Sequence, residues 1–123
     1  MRIMVNESAE NYLETILMLS ETLPVVRSVD IANELGFKKS SVSVAMKNLR
    51  EKEHITVTDA GFIYLTESGR AIAEMIRERH QLLTLWLTQL GVPEEIASED
   101  ACKLEHVLSK ESFEAIKKHA NIE

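Results

Sequence analysis

Folding alone gives little reason for the residue types in Cys102-Lys103-Leu104-Glu105-His106. On a helix, positions i, i+3 and i+4 project from neighbouring turns on one side, so Cys102, Glu105 and His106 present a thiolate, a carboxylate and an imidazole toward one point. That is a donor set for a transition metal. One helix offers only part of a coordination sphere, so further ligands must come from segments packed against it. A lone cysteine forms no internal disulfide, which leaves Cys102 as a buried small hydrophobe, a reactive thiol or a metal ligand. Asn11 and Glu14, one helical turn apart, and His80, the polar member of an apolar stripe, are the other candidates. By pattern alone Glu14 is more often a solvated acid than a ligand, and His80 more often a satisfied core or interface histidine.

The elements that must position these residues follow from composition and periodicity. With 123 residues and 45% apolar side chains, the chain suits one domain or two small lobes sharing a core. Four Gly and two Pro leave little room for disorder, and few aromatics beside many Leu, Ile, Ala, Glu and Lys favour helices. No apolar run approaches the ~20 residues of a membrane span, and the first residues, Met1 to Asn6, lack the apolar core of a signal peptide. A soluble cytoplasmic protein without membrane partners or an organic cofactor is therefore expected. The net charge of −6, taken as an average, argues against nucleic acid.

In chain order, a first helix is predicted from about Ser8 to Glu21, with Leu13, Ile16, Leu17 and Ser20 inward and Asn11, Glu14 and Met18 on a neighbouring face. Pro24 breaks it. Ser28 is the expected N-cap of a short second helix that Gly36 stops, and Ser40 or Ser41 caps a third, with Val42, Ala45, Met46 and Leu49 inward. Two helices joined by a short turn containing Gly form a helix-turn-helix, whose second member can enter a DNA major groove. Lys38, Lys39, Lys47, Arg50 and Lys52 stand against Glu51 alone, a local excess of four positive charges in an acidic chain. Phosphate contact needs a positive patch and not a positive protein, because charges are screened over ~8 to 10 Å. Ser40, Ser41, Ser43 and Asn48 add groups suited to phosphates and base edges. With Arg27 just ahead of the second helix, these are the candidate DNA contacts.

Ile55 to Thr58 and Phe62 to Leu65 read as strands around the turn Asp59-Ala60-Gly61. A hairpin straight after a recognition helix is a wing, so the fold class is mainly α with a small β-hairpin: a winged helix-turn-helix over residues 1–66. Residues 67–123 are expected to form a helical metal-binding and dimerisation domain. Thr66 caps a long helix from Glu67 to Leu90 closed by Gly91, Pro93 sits in the first turn of the next, and Ser109 caps the last. The apolar stripes of these helices exceed what one small lobe covers, which points to a homodimer.

Taken together, the stretches Ser8 to Ile16, Val29-Asp30-Ile31-Ala32, Ser40-Ser41-Val42-Ser43, Leu65 to Gly69, Arg79-His80 and Asp100 to Ser109 resemble the metal-dependent repressors of the diphtheria toxin repressor and manganese transport regulator type. The resemblance covers nearly the whole chain, and its last stretch is highly specific. It implies homodimers that bind operator DNA once Fe²⁺ or Mn²⁺ is bound. Cys102, Glu105 and His106 match the family's ligand helix, with cysteine where the manganese branch has glutamate. Glu14 and His80 match ligands of the manganese branch, and Asn11 stands where one branch has methionine and the other aspartate. Thr84 and Ser98 occupy positions of an ancillary site of the iron branch, which should be absent or altered here. The chain ends where larger members continue into an SH3-like third domain, so a two-domain form is expected.

A thiolate beside imidazole shifts preference toward Fe²⁺, with Mn²⁺ close behind. The expected mechanism is one ion that fastens the first helix to the dimer core and so sets the spacing of two recognition helices, whose half-sites lie ~34 Å apart or a multiple of it. The rival readings are a winged-helix regulator without metal dependence and a metal enzyme or buffer. The chain has no His-Glu-x-x-His motif, and an enzyme would leave the Lys38 to Lys52 patch without a purpose.

Overall fold

The computed structural model describes residues 9–120, so the expected helix start at Ser8 lies outside the described residues. Six helices and one hairpin follow in order: α1 (Ala9–Ser20), α2 (Ser28–Leu35), α3 (Lys39–Glu51), β1 (Ile55–Val57), β2 (Ile63–Leu65), α4 (Glu67–Gln89), α5 (Glu94–Leu104) and α6 (Lys110–Ala120). They form two compact units, Met1–Glu74 and Met75–Glu123, whose boundary falls within α4.

In the amino-terminal unit the 3.6-residue stripes close on one core. Leu13, Ile16 and Leu17 of α1 meet Ile31 of α2, Val42 and Leu49 of α3, and Ile55 of the hairpin, all essentially inaccessible to solvent. Burying one such side chain stabilises the unit by about 1.5–3 kcal/mol. Ser20, expected inward, is exposed at the end of α1. Proline 24 follows, and α2 begins after Arg27, whose backbone N–H donates to the Asp30 carboxylate at 2.9 Å. Ser28 is thus the first residue of α2 and not its N-cap. The donors that a Ser28 hydroxyl was expected to serve, the N–H groups of Asp30 and Ile31, donate to the Arg27 carbonyl at 2.9 and 3.3 Å instead, while the Asp30 side chain reaches back to the Arg27 N–H. Gly36 ends α2 at φ 70°, a left-handed conformation that glycine adopts without steric cost.

Lys38, in extended conformation, precedes α3 and supplies no side-chain cap. Ser40 and Ser41, expected to cap, lie inside its first turn and are exposed. The hairpin pairs Ile55 with Leu65 and Val57 with Ile63 in antiparallel register, each strand three residues long. Its turn is held by Phe62 N–H donating to Thr58 Oγ1 at 3.0 Å, and Ile63 N–H donates to the Val26 carbonyl at 2.8 Å, tying the hairpin to the segment before α2. Thr66 caps α4 as expected: its Oγ1 accepts from Gly69 N–H at 3.2 Å and donates to the Glu53 carbonyl at 2.8 Å.

In the carboxy-terminal unit Leu83, Ala101 and Phe113 form a small core from α4, α5 and α6. Leu90, expected to end α4, falls one residue beyond it and is 62% exposed. Pro93 precedes α5 as its N-cap, and Ser109 Oγ accepts from Ser112 N–H at 3.0 Å at the start of α6. Among the described residues no helix is long and apolar enough to cross a membrane.

Candidate metal centre and nucleic-acid face

The carboxy-terminal unit is built around one buried acid. Glu105 follows the last residue of α5 with helical dihedrals and is 0% exposed. Its Oε1 lies 2.9 Å from His80 Nδ1, brought in by α4, and its Oε2 lies 3.2 Å from His106 Nε2. Burial alone would raise the Glu105 carboxyl. The close approach of the His106 ring and the hydrogen bond from His80, with the positive character of both rings, outweigh that and hold it below the ordinary carboxylate range. The result is a desolvated anion between two nitrogen donors.

His106 lies in a turn past the end of α5, and not on the helix as its spacing implied. Glu105 N–H still donates to the Ala101 carbonyl at 2.9 Å, four residues back, whereas His106 N–H donates to Lys103 O, three residues back, at 3.4 Å. The chain has tightened into a turn with three-residue spacing. Cys102, one turn before Glu105 on α5, is half-buried. His80 Nε2 lies 3.4 Å from Ser98 Oγ, so the position expected to lack an ancillary ligand instead offers that ring a hydroxyl.

Among the described residues no three His, Cys, Asp or Glu side chains already converge on one point. The chemistry of the donor set nevertheless fits a divalent transition ion. A charged, solvent-free carboxylate flanked by two imidazoles, with a thiol one turn away, supplies oxygen, nitrogen and sulfur donors whose protons an ion can replace.

Asn11 and Glu14 lie one turn apart on α1 in the amino-terminal unit, Asn11 buried at 7% exposure and Glu14 half-buried. In the same unit all nine candidate DNA contacts, Arg27, Lys38, Lys39, Ser40, Ser41, Ser43, Lys47, Asn48 and Arg50, are exposed. The Arg27 guanidinium also stacks 4.9 Å over the Phe62 ring of the hairpin. Reasoning from sequence missed Val44, which is 61% exposed amid this polar face, although its phase opposite Val42 and Met46 was the available signal. It also missed Arg79, whose Nη1 donates to the carbonyls of Glu105 at 3.1 Å and Leu108 at 3.0 Å. No local pattern marks that contact, because it joins residues far apart in sequence.

A winged helix-turn-helix joined to a helical unit with a buried carboxylate–imidazole cluster defines a class: metal-responsive DNA-binding regulators. Comparison with known proteins places the chain within it. Residues 4–60 match the family model for the iron dependent repressor N-terminal DNA binding domain, and residues 66–121 that for the iron dependent repressor metal binding and dimerisation domain. An uncharacterised HTH-type transcriptional regulator of Methanocaldococcus jannaschii is 36% identical over 115 residues, 92% of each chain. The transcriptional regulator MntR of Escherichia coli O157:H7 is 34% identical over 111 residues, 90% of this chain and 72% of that one. A manganese-dependent transcriptional repressor in complex with manganese superposes with a TM-score of 0.85 at 27% identity, over 94% of this chain and 54% of that one. The chain therefore spans about half the length of that solved structure. It belongs to the iron-dependent repressor family, of the diphtheria toxin repressor and manganese regulator type, whose members are metal-dependent transcriptional repressors and not enzymes.

Proposed function

We propose that this protein is a cytoplasmic repressor of metal homeostasis that binds operator DNA as a homodimer when it is loaded with Fe²⁺. The observation that carries the reading is the fully buried Glu105 carboxylate held between His80 and His106. A permanent buried anion is costly unless paired, and a pairing made of two imidazoles is one that metal loading can take over. Cys102, His80, Glu105 and His106 are the proposed ligands of the carboxy-terminal unit; Glu14, with Asn11 one turn before it, is the proposed contribution of α1. The bound ion would supply a fixed positive charge on which these side chains close. The thiolate favours Fe²⁺ over the harder Mn²⁺. The second reading, Mn²⁺, is supported by the relatives that carry the manganese regulator's name.

In this reading α3 enters the major groove. Lys38, Lys39, Lys47 and Arg50, with Arg27, neutralise phosphates, and Ser40, Ser41, Ser43 and Asn48 meet phosphates and base edges. The domain division is proposed at residue 66, where the capping Thr66 separates hairpin from α4. Anaerobic DNA binding measured in parallel with Fe²⁺, Mn²⁺ and chelator tests partner, signal and coupling together. Tight binding with either ion and weak binding with chelator is expected; equal binding in all three would leave a winged-helix regulator without metal control.

A further inference from the structure

We propose that Arg79 is the residue that positions Glu105 and His106, an inference resting on the reading of that pair as metal ligands. Glu105 keeps the last helical N–H bond of this segment, and His106 sits just past it, where the backbone tightens into a turn. His106 N–H donates to Lys103 O at 3.4 Å and Val107 N–H to Leu104 O at 3.1 Å, weaker and tighter-spaced bonds than the helical one at Glu105. The carbonyls of a helix end and the turn after it need donors from elsewhere. Arg79 provides one from 26 residues earlier in the chain: a single nitrogen, Nη1, bridges Glu105 O and Leu108 O at 3.1 and 3.0 Å.

The guanidinium is itself fixed, its centre 5.0 Å over the ring of Phe113, which is 3% exposed on α6. A planar cation can stack on an aromatic face and donate along its edge at the same time, which an ammonium cannot. Arg79 also adjoins His80 on α4. Consecutive residues of one helix therefore hold Glu105 at both ends, His80 at the carboxylate and Arg79 at the carbonyl. Both Arg79 bonds end on backbone carbonyls. Arg79 sets the peptide planes from which Glu105 and His106 project, and charge-assisted bonds of this kind are stronger than the neutral ones left in the turn.

The test is a Mn²⁺ titration of the whole DNA-free protein carrying Arg79→Lys or Arg79→Gln, with His106→Ala in parallel and the absorption spectrum of the Co²⁺-loaded forms as second readout. Outer residues that orient ligands typically change metal affinity about 10- to 100-fold. Arg79→Gln is expected to bind Mn²⁺ within that range more weakly, Arg79→Lys to fall between it and wild type, and both to shift the Co²⁺ bands. A residue that only stabilised the fold would leave the spectrum of the folded protein unchanged. Should Arg79→Gln not fold, Arg79→Lys decides alone. Wild-type affinity and spectrum in a folded Arg79 variant, with His106→Ala weakened, would overturn the positioning role. Wild-type affinity in His106→Ala would instead overturn the ligand reading beneath it.

Discussion

Glu105 carries the chemistry of the carboxy-terminal unit because it stays charged where water does not reach it. A carboxyl whose pKa is lowered on folding stabilises the fold above its ordinary range, and that contribution is lost as pH falls through the lowered value. Chemical unfolding of the metal-free protein, followed from neutral pH down to about pH 3, should show a loss of stability below the ordinary carboxylate range that Glu105→Gln lacks. An equal slope in both would mean the pairing does not contribute. Cys102 is the proposed discriminator between metals at the same scale. Cys102→Ala is expected to keep the fold and weaken metal-dependent DNA binding, with Fe²⁺ losing more than Mn²⁺ because the soft donor has gone; unchanged metal dependence removes Cys102 from the site. On α3, Val44 exposes an apolar side chain where its neighbours at three- and four-residue spacing are Ser40, Ser41, Lys47 and Asn48. The apolar group that a major groove offers is the thymine methyl. Replacing thymines by deoxyuridine in a selected operator should cost wild type about 1 kcal/mol at one position, the order of burying one methyl group. Val44→Ala should lose that discrimination. If no thymine methyl matters to wild type, Val44 does not read one.

At the scale of elements, the junction between hairpin and α4 leaves no room for a side chain at Gly69. Gly69 is buried, and a Cβ there would run into the His54 carbonyl oxygen, which is backbone and also accepts from Thr66 N–H. Gly69→Ala should therefore destabilise the unit by about 1–3 kcal/mol, against about 1 kcal/mol for losing the cap in Thr66→Ala. Urea unfolding compares them, and a neutral Gly69→Ala would show that the junction relaxes. The helices that build this unit were legible because Leu13, Ile16 and Leu17, and then Val42, Met46 and Leu49, recur at helical spacing. The caps at Ser28, Ser40 and Ser41 were misread, since several polar residues near a helix start compete for the same orphan donors and backbone conformation chooses among them. That left the Ser40 and Ser41 hydroxyls exposed on the face proposed to meet DNA. The proposed donors of the metal centre were chosen from residue types and spacing. Their arrangement was not legible: α5 ends at Leu104 without a Gly or Pro signal, and Glu105 becomes the hub through contacts with His80 and Arg79, which only the fold brings near.

At the scale of the whole molecule, the carboxy-terminal unit leaves Leu85, Leu90, Ile96 and Val107 each half or more exposed. A domain of the metal binding and dimerisation type has a use for that surface, and Leu90→Glu combined with Ile96→Glu should shift sedimentation toward the monomer; an unchanged dimer would place its interface elsewhere. The proposed function requires metal held by the carboxy-terminal donors to govern the DNA affinity of α3, and the proposed link is Glu14. If metal strengthens operator binding by a factor, operator must strengthen metal binding by the same factor, because both describe one coupling free energy. A coupling of about 1–3 kcal/mol corresponds to roughly 5- to 150-fold. Four affinities measure it: metal with and without operator, and operator with and without metal. In wild type the two ratios should agree and lie in that range. Glu14→Gln removes the carboxylate charge while keeping the shape of the side chain. With Cys102, Glu105 and His106 intact, it should still bind metal, more weakly, while both ratios collapse toward one. If metal still strengthens operator binding by the wild-type factor in Glu14→Gln, this carboxylate is not the connection between signal and reading helix.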